Sequence, residues 1–120
     1  LYLADRLNNQ AQATVFSVAT IDTIGMIDTL DTNGIRGADA AIYVETIIEV
    51  YRIEGFTVIE REKVLAAPVE TSIRFVPVDQ LMAKAESLGV APTESDYRAA
   101  RQNMEESENK MKALFNKFSQ

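Results

Sequence analysis

The sequence predicts an α+β fold: a small antiparallel or mixed sheet of three to four strands, packing helices, and a long amphipathic helix at the C-terminal end. Short segments rich in β-branched and aromatic residues, at 14–21, 56–61 and 72–76, supply the strands. Apolar residues spaced by three and four after Asp79, and again after Thr93, supply the helices. Within the last of these, Tyr97, Met104, Met111 and Phe118 recur every seven residues, and Ala100, Ser107 and Leu114 follow the first three of them by three. That is the a/d stripe of a helix that packs lengthwise against another helix.

Taken in order, residues 1–13 read as a helix, with Leu3 and Leu7 spaced by four among polar neighbours. In residues 14–21 (TVFSVATI) neither alternating face is strongly polar, which is the pattern of a buried strand. Ile21-Asp22-Thr23 is echoed at Ile27-Asp28-Thr29 but does not continue, so it marks no structural repeat. Asp31-Thr32-Asn33-Gly34 is a turn signal. Residues 38–54 fit two patterns. As a helix they place Glu45, Glu49 and Arg52 opposite Ala41, Val44, Ile48 and Tyr51, with Gly55 as a natural stop. As a strand they line up Ile42, Val44, Thr46, Ile48 and Val50. The reading adopted is a compromise: helix to Thr46, strand over 47–53, and a hairpin turn at Glu54-Gly55 into the strand at 56–61. Pro68 interrupts the next stretch, and the strand at 72–76 ends at Pro77. A helix follows through Leu81, Met82, Ala85 and Leu88 and closes at Gly89. Thr93 with Asp96 three residues on forms a near capping box for the last helix. The chain thus divides into an acidic α+β body, residues 1–91, and a helical arm, residues 92–120.

Composition narrows the chemistry. At 47% hydrophobic and 25% charged, the chain has enough apolar content to fold as one domain. It has no Cys and no His, which removes thiolate chemistry, disulfides and the commonest general base and metal ligand. Compartment is left open: a soluble chain, or one that is part of a particle. Leu1 in place of Met is what a processed or trimmed chain would show. No apolar run approaches the roughly 20 residues of a membrane span. The net charge is −6. After Pro92, the bases Arg98, Arg101, Lys110, Lys112 and Lys117 balance the acids Glu94, Asp96, Glu105, Glu106 and Glu108, so the body carries the whole excess. An acidic body repels phosphate backbones, so direct nucleic-acid binding is not expected.

No motif brings catalysis or a cofactor with it. Aligning Gly34 with the sixth position of a calcium loop puts Thr29 first and Ala40 twelfth, which excludes an EF-hand. A looser cluster of Asp22, Asp28 and Asp31 reads first as a solvated acidic turn. Glu60 and Glu62, placed on one face of a strand and alternating with Arg61 and Lys63, read as a protected edge. Phosphate-loop and nucleophile-elbow patterns are absent from the sequence. The expected function is therefore non-enzymatic: a structural or assembly protein, acting as a homo-oligomer or as a subunit of a larger particle such as a virion or shell. Its partners would be itself or neighbouring subunits. The interface residues would be Tyr97, Ala100, Met104, Met111, Leu114, Phe115 and Phe118. Two other readings are an acidic regulator of a basic protein surface, and, last, a carboxylate-based metal enzyme. No catalytic, cofactor or metal residue is assigned.

Overall fold

A computed structural model describes residues 17–64 and 69–119. The helix expected at 1–13 and the first residues of the strand expected at 14–21 lie outside the described residues. Strand β1 (Ser17–Ile21) leads into helix α1 (Thr23–Thr32), helix α2 (Gly37–Ile53), strand β2 (Phe56–Glu60), two 3-10 turns (Arg61–Lys63 and Val69–Thr71), helix α3 (Val78–Ser87) and helix α4 (Glu94–Phe118).

The architecture is α+β, but the sheet differs from the expected one. β1 and β2 pair in parallel, in the register Ser17↔Phe56 through Ile21↔Glu60. The expected strand at 72–76 contributes only a parallel bridge, Thr20↔Ser72, on the other side of β1. Among the described residues the sheet therefore has two parallel strands, in place of an antiparallel or mixed set of three or four.

The parallel pairing also corrects residues 38–54. A hairpin at Glu54-Gly55 would make the flanking strands antiparallel, whereas parallel neighbours need a crossover of a dozen residues or more. α1 and α2 form that crossover, and α2 is helical throughout, with no strand over 47–53. Its β-branched residues are tolerated because α2 is buried on most sides. It touches α1, β2, α3 and α4, and it buries Ala40, Ile42, Tyr43, Val44, Thr46, Ile47 and Val50. Burial of this extent outweighs intrinsic preferences of a few tenths of a kcal/mol per residue.

α1 was not expected from the sequence. Asp22 caps it, its Oδ1 accepting from the Gly25 N–H at 3.0 Å. A Cβ at Gly25 would lie 2.4 Å from Asp22 Oδ2, so a larger residue there would push the capping carboxylate from this position. The helix ends in a Schellman turn: the Ile35 N–H donates to the Leu30 carbonyl at 2.9 Å and Gly34 to Asp31 at 3.0 Å, with Gly34 at φ +79°. The predicted turn at residues 31–34 is thus a helix stop. Only Met26 and Leu30 of α1 are buried.

The core runs from Ala19 and Ile21 on β1 through Met26 and Leu30 to the buried face of α2, and ends at Ile73, Leu81 and Ala85. Tyr43 ties it together. It is fully buried. Its hydroxyl donates to the Val76 carbonyl at 2.7 Å and accepts from the Val76 N–H at 2.9 Å. Its ring stacks on Phe75, with centroids 5.7 Å apart. Burial raises the Tyr43 pKa above its ordinary value of 10, the Val76 hydrogen bond partly opposes this, and Tyr51 adds to the rise.

Tyr43→Phe leaves both backbone groups of Val76 without that partner, at an expected cost of about 1–3 kcal/mol in urea unfolding. The folded state favours the neutral phenol. That contribution is complete below pH 10 and is lost as pH rises through the higher folded pKa. The wild-type melting temperature should therefore fall above pH 10, and less steeply in Tyr43→Phe; an equal fall in both would assign the alkaline loss to other groups.

Candidate interaction surface

Helix α4 starts as the sequence predicts. The Thr93 side chain accepts from the Asp96 N–H at 3.2 Å, and Asp96 Oδ2 accepts from the Thr93 N–H at 2.8 Å. This is a complete capping box. Glu94 and Asp96 in the first turn and Lys117 in the last suit the helix dipole. Arg101 reaches back to Glu94 at 3.5 Å.

The stripe predicted on α4 divides into two parts. Its first part packs on α2. Asp96 shares a shallow recess with Ile42, Glu45 and Glu49. Half-buried Tyr97 has its pKa raised by burial first, then by the carboxylates of Asp39 and Glu94. A Cβ at Gly37 would lie 3.9 Å from Met104 Sδ. Going up α4, its neighbours go down α2, so the two helices run antiparallel and α4 passes the start of α2 at Met104. Tyr97 and Ala100 thus serve the intramolecular core face, half-buried, and Met104 is at the boundary, 40% exposed.

Beyond Met104 the helix leaves the body. Every residue from Arg101 to Ser119 is exposed. Residues 105–118, at 1.5 Å each, project about 21 Å. The longest dimension of the molecule is 75 Å against 34 and 23 Å for the other two. Its radius of gyration is 18.8 Å, where a compact chain of 100 residues has about 13 Å. Met111, Leu114, Phe115 and Phe118 are 72%, 57%, 76% and 82% exposed. Their spacing is i, i+3, i+4 and i+7, one face of the helix.

Elsewhere, polar side chains are consumed in holding the fold. Beyond the carboxyl ends of the strands, where parallel sheets often bind ligands, the Thr20 and Thr71 hydroxyls lie 3.2 Å apart. Thr23 donates to Glu60 and Arg61 to Ser72. Glu60 ends β2 and Glu62 lies in the following 3-10 turn, so the two do not share a strand face. Asp22 caps α1, while Asp31 pairs with Arg36. No group of three acidic side chains converges on a metal-sized site among the described residues. No described helix is long and apolar enough to cross a membrane.

Two features escaped the sequence reading. One is the exposed pair Ile24 and Ile27 on α1, 72% and 43% exposed, legible only once α1 is recognised. The other is a cleft of about 300 Å³ between the end of α2, the start of β2, and α3. Val50, Tyr51, Phe56 and Leu81 line it, and the Lys84–Glu54 pair, 3.6 Å apart, lies at its rim. Its residues come from three elements, and no spacing in the chain announces it.

No protein-family model, curated protein or solved structure matches the chain.

Asp28→Asn with Asp31→Asn should cost less than about 1 kcal/mol, because the Asp31–Arg36 pair is exposed on both sides. Mg²⁺ or Ca²⁺ should leave the melting temperature unchanged in both wild type and variant. A stoichiometric heat of binding in the wild type that disappears in the variant would reinstate the acidic cluster as a metal site.

Proposed function

We propose that the protein is a non-enzymatic assembly module that associates with itself, or with neighbouring subunits of a larger particle, through the free end of α4. One observation carries this reading: four large apolar side chains occupy one face of a helix that has left its own domain. Scattered exposed apolar residues are ordinary, but a contiguous apolar face on a projecting element marks an interaction site. Tyr97 and Ala100 hold the root of the helix to the body. Met104, Met111, Leu114, Phe115 and Phe118 present the face. Two methionines make it an adaptable surface, and Ser107 leaves it short of a strong stand-alone coiled coil.

Light scattering should give a mass above the 13.3 kDa of one chain at high micromolar concentration. Met111→Asp with Phe118→Asp should return the mass to one chain, because charges buried in an apolar contact cost several kcal/mol. Both side chains are exposed in the single chain, so the body should keep its stability to within about 0.5 kcal/mol. Global unfolding of the double variant would instead place the face in the intramolecular core, and a monomeric wild type would remove the reading.

A further inference from the structure

We infer that the free end of α4 pairs antiparallel with the same segment of a second copy of this chain. The product is a two-fold dimer with the acidic bodies at opposite ends. The inference rests on the self-association proposed above and specifies its partner and direction.

Charge selects the direction. Along the free segment, Glu105, Glu106 and Glu108 form an acidic block, and Lys110, Lys112 and Lys117 form a basic block with no acid after Glu108. Parallel arms would set like blocks side by side. Antiparallel arms centred between Asn109 and Lys110 set Lys110 and Lys112 of each copy beside Glu106 and Glu108 of the other. Glu108, Lys110, Lys112 and Lys117 flank the apolar face, Lys112 beside Met111 and Phe115, and Glu105 and Glu106 lie further round the helix. The helix dipoles also oppose one another in this arrangement.

The bodies point the same way. Each copy carries −6, all of it outside the neutral arm. Parallel arms would bring two such bodies together, whereas antiparallel arms hold them apart by about 16 Å of helix, beyond the screening length. Two-fold pairing is also self-complementary: the same face serves both copies, and the contact closes at two. Phe115 of one copy lies opposite Met104 of the other, covering the methionine that α2 leaves 40% exposed.

The chain has no Cys, so Ser119→Cys can carry a single spin label at the helix tip. Antiparallel pairing predicts a tip-to-tip distance of about 25–35 Å from helix rise and interaxial spacing. The light-scattering mass should level off at twice that of one chain. Lys110→Glu with Lys112→Glu and Lys117→Glu makes the free segment uniformly acidic and should weaken the dimer at least tenfold at low salt. In a parallel dimer, where like charges already face each other, it would change little. A tip-to-tip distance below about 20 Å, or a mass that climbs past two chains because the tip docks on another body, would overturn the antiparallel dimer while leaving self-association standing. A wild type that stays monomeric at high micromolar concentration would overturn both.

Discussion

The fold depends on the hold that Tyr43 keeps on Val76. A pair of parallel strands is too small a sheet to be stable alone, and most of what covers it comes from α2. The segment from Thr71 to Val76 fastens these layers. At one end Thr71 meets Thr20, and the Ile73 N–H donates to the Thr20 carbonyl at 2.8 Å. At the other end both polar groups of Val76 are spent on the Tyr43 hydroxyl. This segment makes few sheet hydrogen bonds of its own, so a side chain from the central helix supplies what a longer strand would have made. Once Val76 is fixed, Pro77 starts α3, and Leu81 and Ala85 close the core against α2.

This division of labour explains which parts of the fold were legible. α4 was readable to its cap because its signals are local: Thr93 and Asp96 are three residues apart, and the heptad stripe needs no knowledge of the rest of the chain. α3 was readable for the same reason, with Gly89 at φ +75° as its stop. α2 was not, because it lies under other elements and its outward charges are few. A helix buried on most sides loses the polar face that would distinguish it from a strand, and Ile42, Val44, Ile47 and Val50 then favour the wrong answer. α1 was missed because only Met26 and Leu30 mark its buried face and Gly25 sits in its first turn. The direction of the sheet was beyond local reading altogether, since it follows from the crossover and not from the strands.

The stripe that carries the candidate surface was legible in the sequence, and how much of it the chain itself covers was not. A seven-residue stripe says that a helix face will be covered, but not by what. The structure divides the coverage: Tyr97 and Ala100 meet the chain's own α2, and Met111, Leu114, Phe115 and Phe118 stay exposed among the described residues. The boundary falls at Met104 because α2 begins at Gly37, a length that only the fold determines. Charge along the arm changes near the same place, from the acids that end at Glu108 to the lysines that begin at Lys110. Where the body stops shielding the arm, the arm begins to carry a pattern of its own.

The free end of α4 also bears on how association and folding are connected. An isolated helix of 12–15 residues is marginal in water, chiefly because nucleation is costly. Here the capping box and the packing of Tyr97 and Ala100 on α2 have already met that cost, so the projecting turns need only propagate. Propagation is close to neutral per residue, and among the described residues the last turns are exposed on every side, so their helicity rests on small terms: the charge pattern, the dipole and ordinary propensity. A partner that covers Met111, Leu114, Phe115 and Phe118 therefore stabilises the helix itself as well as hiding its apolar face. By mass action the two effects would be linked: any substitution that frays the tip would weaken the proposed association even without touching the contact.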